Sequence, residues 1–161
     1  MFVALPEFTV LQERNGISME IKVREARISD YEEIQIICGI DLGYVCDKEL
    51  VKRRLANLDH NRECVFVADD DNKVVGFVHV EVYEVLYAPS IANILGIAVS
   101  SEFRRQGIGK KLLSKAEEWA KSNGIAMMRL NSGATREGAH AFYRNLGYIN
   151  EKLQLRFIKP L

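Results

Sequence analysis

Val99-Ser100-Ser101-Glu102-Phe103-Arg104-Arg105-Gln106-Gly107-Ile108-Gly109-Lys110-Lys111-Leu112-Leu113 is the stretch on which the fold turns. The apolar run Ile94-Leu95-Gly96-Ile97-Ala98-Val99 leads into it and reads as a strand. A short loop follows, then two glycines one residue apart, then apolar residues at helical spacing. Glycines at a helix start let the backbone approach a ligand, and the first N–H groups of the helix have no intrahelical partner. Such an end attracts phosphate. Arg104, Arg105 and Lys110 bring positive charge to the same place. The stretch reads as a pyrophosphate cradle.

Two familiar phosphate loops fail on named residues. The Walker pattern requires Ser or Thr after Gly-Lys, and here Gly109-Lys110 is followed by Lys111. Its first glycine would fall at Arg104. The dinucleotide fingerprint requires a third small residue, where this chain has Leu112. The acidic residue expected further on, to hold a ribose, is missing where the chain reads Arg129-Leu130-Asn131.

The pattern that remains is Arg/Gln-x-x-Gly-x-Gly/Ala after a strand ending in Val, here Arg104-Arg105-Gln106-Gly107-Ile108-Gly109. Downstream, Ala139-His140-Ala141-Phe142-Tyr143-Arg144-Asn145-Leu146-Gly147-Tyr148 places Phe-Tyr on a helix before Leu-Gly-aromatic. Together they resemble, in order and separation, the two signatures of the GNAT superfamily of acetyl-CoA-dependent N-acetyltransferases, in a bacterial-type member. The resemblance covers Ile21 to the C-terminus, with Ile94 to Tyr148 as its specific part. It implies an α/β (α+β) fold whose mixed, mostly antiparallel sheet has about seven strands flanked by about four helices. It also implies a splay between the fourth and fifth strands. Residues 1–18 are expected as an N-terminal extension and 19–161 as the acetyltransferase domain.

Composition bounds the rest. The chain has 161 residues, 48% of them hydrophobic, enough for one domain with a core. Lys+Arg and Asp+Glu balance at 22 each, so no global charge draws nucleic acid or an anionic membrane. No apolar run approaches the ~20 residues of a membrane helix. Residues 1–18 lack the basic start and long apolar core of a signal peptide. Phe8-Thr9-Val10-Leu11 reads either as an extra strand or as part of an alternative start. Cys38, Cys46 and Cys64 show no CxxC spacing, and His60, His79 and His140 are scattered. Neither a disulfide framework nor a metal site is expected, and a reduced cytoplasmic setting is.

Local patterns place the elements. Ile21 to Arg27 alternates as a strand, and Ser29 with Glu32 reads as a capping box for a first helix. A second helix follows Asp47. Cys64 to Ala68 and Lys73 to Tyr83 form a hairpin, Glu84 to Ser90 a loop, and Asn93 to Val99 the next strand. Gly107 to Asn123 is the longest helix, and Ala126 to Leu130 is a strand. Thr135 is placed to cap a further helix that Gly147 ends, and Tyr148-Ile149 and Gln154 to Ile158 are the last strands.

The resemblance also assigns roles. Arg104, Arg105, Gln106, Gly107, Ile108, Gly109 and Lys110 would hold the pyrophosphate of acetyl-CoA. Ile97, Ala98 and Val99 would receive the pantetheine arm as an added strand. A backbone N–H near Ile97 would stabilise the oxyanion. Tyr143 would hydrogen-bond the departing thiolate, or is a core aromatic beside Phe142. Arg136 stands where many relatives have Asn, and either approaches the cofactor or belongs to a structural loop. Attack on a thioester needs a neutral amine, so a general base is required. Asn131 occupies one of the family's positions for it and cannot take a proton. Glu81 and Glu84 are the candidates, or part of a solvated face; Tyr83 and Tyr87 would line an amine pocket. His140 reads as exposed rather than catalytic.

The chemistry implied is direct transfer of acetyl from acetyl-CoA to a primary amine in a ternary complex, without metal or covalent enzyme intermediate. The alternative is a non-catalytic acyl-CoA sensor or regulatory module. The acceptor stays open between small amines and protein amines, and a homodimer is an assembly common in the superfamily.

Overall fold

The computed structural model describes residues 9–14 and 17–161. Six strands form one sheet in chain order: β1 (Thr9–Arg14), β2 (Ile17–Glu25), β3 (Glu63–Asp70), β4 (Lys73–Val85), β5 (Ala88–Val99) and β6 (Met128–Leu130). Neighbours pair antiparallel from β1 to β5, and β6 runs parallel to β5. Thr9, Val10 and Leu11 lie on β1, while Phe8 falls outside the described residues.

Helices α1 (Tyr31–Ile37) and α2 (Lys48–Ala56) cover one face, joined through a π turn at Cys38–Leu42. Ile34, Ile37 and Leu55 pack there on Val65, Val67, Phe77 and Ala98. Register explains the grouping, because Val67 lies opposite Phe77 and Phe77 opposite Ala98. Asp47 caps α2 by accepting from the Glu49 N–H at 3.0 Å. Ahead of α1 the cap falls on the 3-10 turn Ile28–Asp30 rather than on Ser29 and Glu32: the Arg27 N–H donates to Asp30 Oδ2 at 2.6 Å. Asp30 is also held by Arg24, while Ser29 is exposed.

Helix α3 (Ile108–Ser122) covers the other face. Ile108, Leu112, Leu113, Ala116 and Ala120 form its buried stripe. The approach is close at Gly76, where a Cβ would lie 3.0 Å from the Ala98 carbonyl oxygen and 3.2 Å from Leu112 Cδ1.

The expected 84–90 loop is instead a tight hairpin. Val85 pairs with Ala88, leaving Leu86 and Tyr87 at the tip. Pro89 is accommodated near the strand start, where a missing N–H is tolerated.

Asn131–Leu161 is a second compact unit, containing α4 (Glu137–Asn145). Arg136, not Thr135, is the residue before its first turn. No strand follows Asn145, so Tyr148-Ile149 and Gln154 to Ile158 are corrected to irregular chain. Leu153, Leu155 and Phe157 keep a period of two, but a strand exists only where its backbone pairs with a neighbour. Among the described residues the strand total of six thus includes β1 and omits the two expected at the C-terminus.

Candidate active site

The splay expected between the fourth and fifth strands falls between β5 and β6. Pairing covers only Ala92 with Met128, Asn93 with Arg129 and Ile94 with Leu130. Leu95 then forms a bulge, because His79 lies opposite Gly96 while Val80 lies opposite Ile94. From Leu95 to Val99 no described strand pairs with that edge of β5. Ile97, Ala98 and Val99 lie on this segment.

The chain then enters the turn that opens α3. Arg105 and Gly107 both take positive φ, 61° and 75°. Alternation of this kind turns successive N–H groups toward one concave side. Among the described residues, no side chain caps α3, and its backbone ladder begins with the Lys111 N–H donating to Gly107 O at 3.1 Å. The first-turn N–H groups of Ile108, Gly109 and Lys110 therefore have no intrahelical acceptor. Nothing lies within 4 Å of where a Gly107 Cβ would stand, so backbone conformation, not crowding, selects glycine there.

The cations of this turn divide. Arg104 is committed internally: Nε donates to Val99 O at 3.2 Å and Nη2 to Asp41 Oδ1 at 3.1 Å. Asp41 also accepts from the Ser101 N–H at 2.8 Å, tying the π turn to the loop. Arg105 and Lys110 are exposed beside the open helix end, and Gln106 is half-buried.

Glu81 and Glu84 prove unlike. Glu84 pairs on the surface with Arg62, Nη1 to Oε2 at 2.8 Å, and receives Ser90 Oγ at 3.4 Å. Glu81 is half-buried on the α1/α2 face, and its Oε1 accepts from Asn93 Nδ2 at 2.8 Å. Beside it, His79 Nε2 lies 2.8 Å from Glu63 Oε2. Tyr83 lies under the Arg129 guanidinium, 4.4 Å from ring centroid to Cζ, while Tyr87 is exposed at the hairpin tip. Asn93 and Arg129 escape sequence reasoning, since only register places them in one row with Glu81.

Within the second unit, Tyr143 packs edge-on to Phe142 at 5.3 Å and near Tyr148 at 6.0 Å. Burial pushes its phenol above the usual value, and Arg136 opposes the shift. His140 is half-buried rather than exposed, and its Nε2 donates to Gly133 O at 3.0 Å, bracing the loop before α4. Arg136 is exposed at the start of α4.

The chain is similar to known proteins. The acetyltransferase (GNAT) family matches residues 23–148. An uncharacterised N-acetyltransferase of Chlorobaculum tepidum is 33% identical over 78% of this chain and 74% of its own. The aminoalkylphosphonate N-acetyltransferase of Salmonella typhimurium is 33% identical over 94% of this chain and 99% of its own. The crystal structure of a transcriptional regulator from Bacillus halodurans C-125 superimposes with a TM-score of 0.78 at 25% identity, covering 86% and 99% of the two chains. The chain belongs to the GNAT family of acetyltransferases, enzymes that take acetyl from acetyl-CoA. No helix among the described residues is long and apolar enough to cross a membrane.

Proposed function

We propose that residues 19–161 form an N-acetyltransferase domain that moves acetyl from acetyl-CoA to a primary amine by direct attack, with residues 1–18 as an extension. The observation that carries this reading is the continuity of two open backbone surfaces. Among the described residues the edge of β5 beyond Ile94 has no strand partner, and the turn that follows β5 leads to the uncapped start of α3. An amide-bearing pantetheine arm suits the first and a pyrophosphate the second. Arg105, Lys110 and the first-turn N–H groups hold phosphate, while Arg104 fixes the loop that presents them. Val99 O is already engaged by Arg104, and Ala98, two residues before the Ser100 N–H that donates to Val75 O, faces β4, leaving Ile97 as the main backbone contact.

Glu81 is the general base. It takes a proton from the acceptor ammonium, and the neutral amine attacks the acetyl carbonyl carbon. The new C–N bond forms, the C–S bond breaks, and the second amine proton ends on the sulfur of CoA. By the family resemblance, Tyr143 would hydrogen-bond that sulfur. A phenol above its usual value of about 10 gives up its proton poorly to a thiolate of about 8.5, so its role is to stabilise charge. A primary amine acceptor is supported by the relative that acts on aminoalkylphosphonates. The free thiols Cys38, Cys46 and Cys64 suit a reducing cytoplasm.

Calorimetric titration with acetyl-CoA is the test. Micromolar binding is expected, and none detectable at millimolar ligand would overturn the donor assignment. Gly107→Glu should abolish binding, because a non-glycine residue at φ 75° costs about 1–2 kcal/mol of strain and the carboxylate repels phosphate.

A further inference from the structure

A row of polar side chains crosses four adjacent strands on the α1/α2 face. Glu63 lies opposite Glu81, Glu81 opposite Asn93, and Asn93 opposite Arg129. Paired residues share a face, and neighbouring strands lie about 4.8 Å apart, so Glu81 and Arg129 are separated by about 10 Å at the backbone. One end is internally matched, since Glu63 holds His79. The middle is not. Asn93 is only 9% exposed, and its Nδ2 is spent on Glu81. Among the described residues its Oδ1 is buried with no hydrogen-bond partner. A buried acceptor is rarely left in that state. Glu81 Oε2 likewise has no partner among the described residues.

Two hydrogen-bonded neighbours therefore each keep one acceptor without a protein donor among the described residues. An ammonium group, three donors and no acceptor, is the complement. At the far end Arg129 stacks on Tyr83 and makes no ion pair among the described residues. Stacking occupies the face of a guanidinium and leaves its edge N–H groups free to take a planar or tetrahedral oxyanion in bidentate fashion.

We infer that the acceptor is a small zwitterionic amine carrying a carboxylate, phosphonate or phosphate. Asn93 Oδ1 and Glu81 hold its ammonium, and Arg129 holds its anion. Arg129 is then the specificity-determining residue, and Asn93 positions the amine against the base. This rests on the acyltransferase reading above, and deepens it by naming the acceptor class.

The test is calorimetric binding of 2-aminoethylphosphonate and L-aspartate against ethylamine and aspartate dimethyl ester, with and without CoA. The intact protein should bind the anionic amines at least tenfold more tightly than their uncharged counterparts. Arg129→Met should erase that difference by weakening the anionic amines toward the level of ethylamine, and Arg129→Lys should restore part of it. Circular dichroism and thermal unfolding establish that each variant is folded. Equal binding of ethylamine and 2-aminoethylphosphonate would overturn the inference. So would undetectable anionic-amine binding at millimolar ligand, or an Arg129→Met variant that still discriminates. Acetyl-CoA titration of the same sample reads the donor site separately: failure there removes the acyltransferase reading, whereas failure of the amine series alone removes only the acceptor class.

Discussion

At Glu81 a single oxygen decides what can happen. The carboxylate keeps its place by accepting from Asn93, and a glutamine there can still accept that bond through its amide oxygen. It cannot accept the amine proton. Glu81→Gln should lower kcat by about 10²–10⁴, read as thiol release at saturating acetyl-CoA, with acetyl-CoA affinity unchanged. Turnover at the unaltered rate would place the base elsewhere. Glu84 provides the contrast, because its exposed pair with Arg62 is of the kind that contributes little to stability. Glu84→Gln should leave turnover as it is. At Tyr143, burial raises the phenol, so the hydroxyl stays protonated through neutral pH and up past about 10. Tyr143→Phe should lower kcat about tenfold or more without moving acetyl-CoA affinity. In the intact enzyme, no loss of rate below pH 10 should trace to this residue. Comparison of the two pH–rate profiles checks that point.

Elements differ in how far their own sequence specifies them. Helix α3 is legible because its buried stripe, Ile108 to Ala120, repeats at helical spacing and the glycine turn marks its start. The bulge at Leu95 is nearly legible: Gly96 hints at a break, but the register with His79 and Val80 fixes the residue. The length of the β4–β5 hairpin is not legible, since Pro89 and the residues around it read as turn until Val85 finds Ala88. The polar row is invisible for the same reason. Glu81 and Asn93 are a short hairpin apart, yet Arg129 joins them only through a parallel pairing after α3. The phosphate turn is written in contiguous residues, while the acceptor side depends on strands meeting across long separations. Gly76 shows an element constraint that no motif carries. A methyl group there would press on the Ala98 carbonyl and on Leu112, both in packed surroundings. Gly76→Ala should destabilise the fold by about 1–3 kcal/mol, measured by denaturant unfolding, as α3 is pushed off β4. An unchanged midpoint would mean that the helix yields freely.

For the main sheet unit as a whole, one charged clamp links segments distant in sequence. Arg24 on β2 grips Asp30 through Nη1 at 2.7 Å and Nη2 at 3.0 Å, and its Nε reaches Asp69 on β3 at 2.7 Å. It thus fixes the approach to α1 against the face of the sheet on which α1 and α2 pack. Burial alone would raise the Asp30 carboxyl, but the bonds from Arg24 and from the Arg27 N–H more than offset it, and its pKa lies below the ordinary value. The unfolded value is about 3.9. A group depressed in the folded state contributes its full stabilisation above the unfolded value, and loses it as pH falls through about 4 toward the folded value. Urea midpoints should therefore be level at neutral pH and fall as pH drops below about 5. Asp30→Asn should be less stable by about 3 kcal/mol at pH 7, where it leaves Arg24 short of a partner. Its own midpoint should vary less with acid, so the gap between the two proteins should narrow from pH 5 to pH 3. A gap that stayed constant across that range would show that Asp30 contributes packing and not charge, and the clamp would no longer account for the seating of α1.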